Sequence, residues 1–323
     1  MRMEKAWIIL LVGFATPFIF DASSAVASSE YPNRPIEIIC PTAPGGGLDF
    51  ALNLFKNKVE KIVGQPIFLV HKPGAAGATG TVYAKGCKSD GYTLMGATIS
   101  TLVIPPLSKR GAGYILDDFT PVCNLTAIPV FFCVKEDSPY KTMPDFIRAA
   151  KTKKLKYATP GAFTNVHILM EALGKEAGFQ AIHIPHTGAA AGMAAVLGGH
   201  VNMLVAASAG FAGPGRLRII ATAEEKRLED YPDVPTLKEL GYPFIVESLD
   251  SLWAPKGVAK EIVDKLFQAH RKAFEENREE MTSLAKTGEQ TVRILNGEEL
   301  RKKYRYQSEF YRKILGEMGL LMK

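Results

Sequence analysis

Short glycine-rich segments that follow a strand-like apolar run and precede an amphipathic helix recur along this chain. The first, "PTAPGGG", joins "RPIEIIC" to a helical pattern over residues 48–64. The second, "PGAAGATG", joins "QPIFLVHK" to a short helix predicted at residues 82–86, and "GYTLMGATIS" supplies a third strand. Such alternation predicts a parallel sheet whose right-handed crossovers bring the strand-to-helix loops to one edge. The loops at residues 41–47, 72–80 and 97–101 should therefore meet where open α/β sheets bind ligands.

The same pattern restarts near residue 128. Strands "PVFFCVKE", "KYAT", "AIHIP" and "VNMLVAA" alternate with helices, and the loops "TPGAFTN" and "PHTGAAAG" again follow strands. The C-terminal part has the pattern of long amphipathic helices with one strand, "QTVRIL". The apolar faces of these helices need a sheet to pack against, and we expect that sheet to be the first one. We therefore expect an α/β protein of two Rossmann-like lobes, residues 28–127 with 247–323 and residues 128–246. Two crossings, near residues 126–129 and 246–250, suit hinge closure over a ligand cleft.

Residues 1–27 have the pattern of a cleaved signal peptide. Arg2 and Lys5 precede an apolar run at residues 7–20, and small residues ending in "AVA" follow it. A membrane anchor is the competing interpretation, but the run is shorter than the roughly 20 residues that span a bilayer. We expect an exported, periplasmic and monomeric protein.

Charge and cysteine spacing exclude several classes of protein. The net charge of +6 comes from dispersed basic residues, and the basic stretch "RKKYRYQSEFYRK" is typical of a solvated helix face rather than a nucleic-acid patch. Cys40, Cys87, Cys123 and Cys133 show no C-x-x-C spacing, so neither a zinc site nor a redox pair is predicted. Export permits a disulfide, and Cys123 and Cys133 flank one segment, but buried free thiols are the favoured state. We predict no metal and no cofactor.

The first glycine loop suits an anion but not a nucleotide. Neither G-x-G-x-x-G nor G-x-x-x-x-G-K-[ST] is present. Glycines still let the backbone approach a ligand closely, and the following helix start presents N–H groups that suit a carboxylate. A plain turn with Asp49 as a helix cap is the alternative. The repeat of the arrangement in "PGAAGATG" favours an anion site over that alternative.

The candidate ligand-binding residues are the small residues and donors of these loops. In the first lobe they are Thr42, Gly45, Gly46, Gly47, Asp49, Ala76, Gly77, Thr79 and Ser100. In the second lobe they are Thr159, Gly161, Thr164, His167, Thr187, Gly188 and Ser208.

Two histidines need a separate interpretation. His167 either lines the cleft or hydrogen-bonds its own loop at a helix start, and the sequence supports both equally. His183 is expected to be a structural strand residue. His183 and His186 lie three apart on a strand and point to opposite faces, so they make a poor zinc pair.

No catalytic residues are predicted. The stretch "AASAG" around Ser208 lacks the first glycine of a nucleophile elbow. Asp49, Glu247 and Asp250 do not form a convincing acid and base pair. The alternative function is an exported α/β enzyme that acts on a small organic acid, with His167 or Asp49 as its base.

Four segments in this order resemble the extracytoplasmic receptors of tripartite tricarboxylate transporters, also called Bug proteins. They are "YPNRPIEIICPTAPGGGLD", "GQPIFLVHKPGAAGATG", "SDGYTLM" and "VPTLKELGYP". The resemblance implies a type II periplasmic binding fold and closure of two lobes over a small organic carboxylate. It also implies delivery to membrane permease subunits, with a receptor lacking a dedicated permease as a weaker alternative.

The resemblance also assigns roles to the loops. It implies that residues 42–47 and 75–80 hold a ligand carboxylate through backbone groups and bound waters, opposite residues 159–167 and 185–188. This chain departs from the family at His186 and Thr187, where an aromatic residue and a lysine are usual, and in the short segment after Ser208. Cys40 replaces a usual apolar residue. The resemblance therefore does not identify the ligand.

Overall fold

The computed structural model describes residues 31–108, 111–207 and 216–322. The predicted signal peptide at residues 1–27 lies outside this range. The strands are β1 (Ile36–Cys40), β2 (Ile67–His71), β3 (Thr93–Ala97), β4 (Phe119–Ile128), β5 (Val130–Lys135), β6 (Lys156–Thr159), β7 (Ile182–Pro185), β8 (Met203–Ala207), β9 (Leu217–Thr222), β10 (Ser248–Pro255) and β11 (Thr291–Asn296). The helices are α1 (Gly47–Val63), α2 (Ala78–Lys85), α3 (Ile99–Leu102), α4 (Ile104–Leu107), α5 (Met143–Ala150), α6 (Asn165–Ala177), α7 (Ala189–Leu197), α8 (Lys260–Glu276), α9 (Arg278–Thr287) and α10 (Gly297–Glu317).

The first sheet has the strand order β11-β4-β10-β3-β1-β2. Strand β1 pairs in parallel with β2 and β3, as the alternation of strands and helices predicts. Strand β10 is antiparallel to both β3 and β4, and β11 is antiparallel to β4. The predicted parallel pairing therefore holds for β1, β2 and β3, whereas β10, which comes from the second sheet, and β11 add antiparallel pairs that the alternation does not predict.

The second sheet has the order β7-β6-β8-β5-β9. Strand β6 is parallel to β7 and β8, whereas β5 is antiparallel to β8 and β9. The chain passes from the first sheet to the second between Ile128 and Val130 and returns between Thr222 and Ser248. Both sheets thus combine a parallel part, which carries the glycine loops, with antiparallel strands at the crossings.

Helix α1 shows how the local sequence places the first loop. Its apolar positions recur at helical spacing, and the buried residues are Leu48, Ala51, Leu52, Phe55 and Val59. Gly46 is the N-cap, and the left-handed Gly64 (φ 70°) ends the helix. Burial of this face against the sheet fixes where the helix starts, directly beyond the glycines.

Two local features differ from the sequence analysis. The helix predicted at residues 82–86 is α2, which begins earlier at Ala78 and is thus continuous with the second glycine loop. Strand β10 was not predicted, since its sequence "SLDSLWAP" is buried almost throughout and shows no alternation of polar and apolar residues.

The state of the cysteines agrees with the sequence analysis. The four cysteines are free thiols, with Cys40, Cys123 and Cys133 buried and Cys87 half-buried. Among the helices of residues 31–108, 111–207 and 216–322, none is long and apolar enough to cross a membrane.

Candidate functional site

The first glycine loop lies between β1 and the start of α1. Gly45 is left-handed (φ 79°), a conformation that favours glycine, and Gly46 caps α1 without any side-chain hydrogen bond to the helix. A Cβ on Gly46 would have only the Ala43 carbonyl oxygen nearby, at 3.5 Å, whereas one on Gly47 would meet Ile128 and Gln290 at 3.2 and 3.3 Å. The helix start is therefore accessible from the loop side.

The Asp49 side chain hydrogen-bonds to the backbone of this loop. One of its carboxylate oxygens accepts the Gly45 N–H at 2.9 Å, and the other lies 2.7 Å from His71 Nε2. The Asn53 amide donates to the same carboxylate at 3.1 Å. The sequence places Asp49 among the candidate ligand contacts, but its carboxylate is already held by three neighbours.

The second glycine loop lies against the first. Ala75 and Ala76 are left-handed (φ 47° and 55°), and Gly77 (φ 91°) caps α2 without a side-chain hydrogen bond. A Cβ on Gly80 would lie 2.8 Å from the Lys72 carbonyl oxygen and 2.9 Å from Pro41 Cα. Glycine at position 80 thus allows the two loops to pack backbone against backbone, with Ala76 and Thr79 exposed on the outside.

The third loop links the two sheets. Thr98 caps α3 in a reciprocal capping box with Thr101, and a Cβ on Gly77 would meet the Thr101 side chain at 2.6 Å. Ser100 Oγ lies 3.4 Å from both the side-chain oxygen and the backbone N–H of Asn165, at the start of α6. Ser100 therefore joins the loops of the first sheet to those of the second.

The loop after β6 is held largely by its own side chains. Thr159 is fully buried, and its hydroxyl donates to the Gly161 carbonyl at 2.8 Å. Thr164 Oγ1 also donates to that carbonyl, at 3.0 Å, and accepts the His167 N–H at 3.4 Å as the cap of α6. The hydroxyl protons of Thr159 and Thr164 are therefore committed to the loop itself.

His167 hydrogen-bonds its own loop. Its Nδ1 accepts the N–H of the left-handed Phe163 (φ 61°) at 3.1 Å, and only 8% of the residue is exposed. The ring stacks on His183 at 3.8 Å, and His183 stacks in turn on Tyr157 at 5.0 Å. Burial lowers the pKa of His167 and of His183 from 6.5 to about 4. Of the two roles open to His167, the geometry favours support of the loop.

The loop after β7 packs beside the loop after β6. The His186 N–H donates to the Thr159 carbonyl at 3.0 Å, and the Gly188 N–H donates to the Pro160 carbonyl at 3.1 Å. Thr187 is exposed, and Gly188 (φ 105°) caps α7 with no side-chain hydrogen bond. The remaining candidate, Ser208, lies outside the described residues.

The acidic residues near the crossings between the two sheets already have ion-pair or hydrogen-bond partners. Glu247 is bound by Arg293 and, at 2.6 Å, by Lys303. Asp250 is 2% exposed and accepts from Thr126 Oγ1 at 3.2 Å, and burial raises its pKa from 3.8 to about 7. The two candidate bases of the enzyme alternative, Asp49 and His167, are likewise bonded to their own loops.

A separate open groove of about 850 Å³ lies between α6 and the end of α10. Its lining includes Lys151, Lys153, Lys154 and Lys175, while Tyr157 and Glu171 hydrogen-bond to each other at its wall. Among the described residues, the glycine loops contribute nothing to this lining. Volume alone therefore does not identify the site.

Three helices that follow the glycine loops begin with backbone N–H groups that no capping side chain binds. Helices α1, α2 and α7 each begin on a glycine that offers no side chain to the first-turn N–H groups. Such N–H groups carry partial positive charge and suit an anion. Sequence reasoning missed His71 and Asn165, which hold Asp49 and Ser100, because pairings 22 and 65 residues apart leave no local pattern.

Known proteins share both sequence and fold with this chain. The family described as tripartite tricarboxylate transporter family receptor matches residues 53–320. The UPF0065 protein in the gbd 5'region of Cupriavidus necator is 37% identical over 253 residues, 77% of this chain and 77% of that protein. A TctC solute binding protein from Polaromonas, solved with no ligand, has a TM-score of 0.78 and 27% identity, covering 89% of this chain and 99% of that one. R. palustris Rpa4515 with adipate has a TM-score of 0.77 at 22% identity, covering 91% of this chain and 100% of that one, and shares the fold.

These matches confirm the two-lobed α/β fold of periplasmic binding proteins and the resemblance carried by the ordered segments. The family is one of periplasmic solute receptors. The chain belongs to the receptors of the tripartite tricarboxylate transporter family, the TctC and Bug solute-binding proteins.

Proposed function

We propose that this receptor captures a small organic carboxylate, a di- or tricarboxylate or a related carboxylic acid, by closure of its two lobes and delivers it to the membrane subunits of a tripartite transporter. The observation that carries the proposal is that two glycine-capped helix starts, those of α1 and α2, follow loops of the first sheet that pack against each other, and a third, that of α7, follows a loop of the second sheet. A carboxylate accepts several N–H bonds at once, which suits donors whose directions the backbone sets. The structure of Rpa4515 with adipate is that of a protein with the same fold.

The proposed contacts divide between backbone and side chain. One carboxylate is bound by the N–H groups around Gly46, Gly47 and Gly77, with Thr42 and Thr79 at the rim. The opposite end of the solute faces Thr187 and the start of α7 at Gly188. The other proposed contacts are Gly45, Asp49, Ala76, Ser100, Thr159, Gly161, Thr164, His167 and Ser208, of which Asp49, Thr159, Thr164 and His167 act mainly by holding the loops.

We further propose the lobe boundaries as residues 28–127 with 247–323 and residues 128–246. The passages between the sheets at Ile128 to Val130 and between Thr222 and Ser248 support them. The Ser100 and Asn165 contact joins the two proposed lobes. Export by a cleaved signal peptide at residues 1–27 and a monomeric state complete the proposal.

Calorimetric titration of the protein, freed of bound solute by unfolding and refolding, tests this function. Adipate, malate and citrate are titrated alongside 1,6-hexanediol, which keeps the chain length of adipate but has no carboxylate. We expect saturable binding of at least one acid, with a raised Tm and a reduced radius of gyration by X-ray scattering, and none with the diol. Absence of stabilisation by every acid in a broad carboxylate library would contradict the proposal.

A further inference from the structure

A thiol, an imidazole and a carboxylate meet beneath the first glycine loop. Cys40, Asp49 and His71 each place one candidate ligand atom within 4.8 Å of the other two. Within the described part of the chain, no other group of three or more His, Cys, Asp or Glu side chains is gathered in this way. The three residues lie in β1, α1 and β2, so pairing of the strands and packing of the helix assemble them.

Strand register explains how they come together. Cys40 and His71 are direct partners in the parallel pair of β1 and β2, so their side chains project from the same face about 4.8 Å apart. Asp49 is in the first turn of α1, which covers that face after the glycine loop. His71 Nε2 and Asp49 Oδ1 are hydrogen-bonded at 2.7 Å, which is close to the separation of about 3.3 Å that a tetrahedral ion sets between two of its nitrogen and oxygen ligands.

The surroundings already have the form of an outer ligand shell. Thr42 Oγ1 lies 3.3 Å from Cys40 Sγ, and Asp49 accepts from the Gly45 N–H and the Asn53 amide. Such partners orient metal ligands and are usually part of a metal site. Cys40 is fully buried, whereas the His71 and Asp49 side chains are 24% and 13% exposed, which leaves a path for an ion.

We propose that Cys40, Asp49 and His71 form a binding site for a zinc-class divalent transition-metal ion. Thiolate and imidazole select borderline ions such as Zn²⁺ over Mg²⁺ and Ca²⁺, which prefer oxygen ligands. Three protein ligands leave a fourth position open, as in non-structural zinc sites. If the proposed function is also right, the ion fixes Asp49 and thereby the Gly45 N–H of the carboxylate loop.

Metal titration in buffer without any carboxylate tests the site independently of solute binding. Chelator-treated protein is titrated with Zn²⁺ by calorimetry and with Co²⁺ by absorption spectroscopy. We expect one ion per chain and a thiolate-to-Co²⁺ charge-transfer band. Cys40→Ser should abolish the band and weaken Zn²⁺ binding at least about 100-fold, since loss of even an outer-shell partner costs about 10–100-fold.

Cys87→Ser is the matched control, because it removes a half-buried thiol from outside the cluster, and it should bind both ions like the wild type. His71→Gln at the partly exposed end of β2 provides a second variant in case Cys40→Ser disturbs the core, and it should weaken Zn²⁺ binding to a similar extent. The proposal is overturned if the wild type binds neither ion, if no thiolate band forms, or if Cys40→Ser and His71→Gln bind Zn²⁺ like Cys87→Ser.

Discussion

Gly46→Val separates the two roles that the first loop could have. Gly46 has φ −82° and ψ 170°, an extended conformation that valine adopts readily, and its Cβ would touch only the Ala43 carbonyl oxygen at 3.5 Å. A Cβ is therefore accommodated at this position, and the added side chain occupies space directly before the start of α1. If that helix start binds a carboxylate, the ligand is displaced while the fold is kept.

The magnitude follows from the lost hydrogen bonds. A hydrogen bond to a charged group contributes about 1.5–3 kcal/mol. Loss of one such bond weakens binding about 10–150-fold at 1.4 kcal/mol per factor of ten. Replacing glycine by valine at an N-cap costs about 1 kcal/mol of stability, so the variant should remain folded.

Gly86→Val is the matched control. Gly86 ends α2 with a similar φ of −79°, and its Cβ would also meet only carbonyl oxygens, the nearer at 3.5 Å. Its position at the far end of α2 keeps it away from the glycine loops. Calorimetry with the bound acid, combined with urea denaturation, should show impaired binding for Gly46→Val alone. Equal affinity of the two variants would mean that the first loop is only a turn.

Three further predictions concern stability. Because burial raises the Asp250 pKa from 3.8 to about 7, the folded state holds a proton that the unfolded state loses, so this residue's contribution to stability falls as pH rises through that window. Asp250→Asn should weaken the fall of the free energy of unfolding, measured by urea denaturation, between pH 4 and pH 7. An unchanged dependence of that free energy on pH would disprove the assignment. His167→Ala should cost about 1–3 kcal/mol, since the Phe163 N–H loses its acceptor, with His167→Gln restoring part of it; a larger effect on affinity than on stability would instead place the ring in the cleft. Glu247→Gln should cost about 1–3 kcal/mol by leaving Arg293 without its buried partner, and denaturation unchanged from the wild type would refute this.

Periodicity predicted the parts of the fold that are local. The apolar spacing of α1 from Leu48 to Val59 and the glycine stop at Gly64 specify that helix and hence the place of the first loop. The antiparallel β10 was missed because a strand buried on both faces has no alternation, and its partners β3 and β4 are more than a hundred residues away. Its direction depends on long-range pairing, which no short window contains.

In the candidate site, too, local features could be predicted from the sequence and long-range contacts could not. Glycine spacing and strand-to-helix order predicted the glycines at the helix starts, Gly46, Gly77 and Gly188, and their role as donors to a ligand stays a prediction. The commitment of Asp49 to His71 depends on the register of β1 against β2, which sequence pattern does not specify. The sequence does not specify the role of His167 for a related reason, since its function as an acceptor needs the left-handed conformation of Phe163.

The backbone contact at Gly80 has an evolutionary consequence. Any side chain at this position would collide with Pro41 and Lys72, so the two loops keep one mutual arrangement. Substitutions at exposed loop positions such as Thr79 alter side chains but leave the amide groups in place. In the proposed site, the half that would bind the carboxylate is thus shielded from drift, while exposed residues such as Thr187 on the other half are free to vary. Duplicated copies of a gene for such a proposed receptor can acquire new ligands by substitutions on the Thr187 side while the arrangement of the glycine loops is kept.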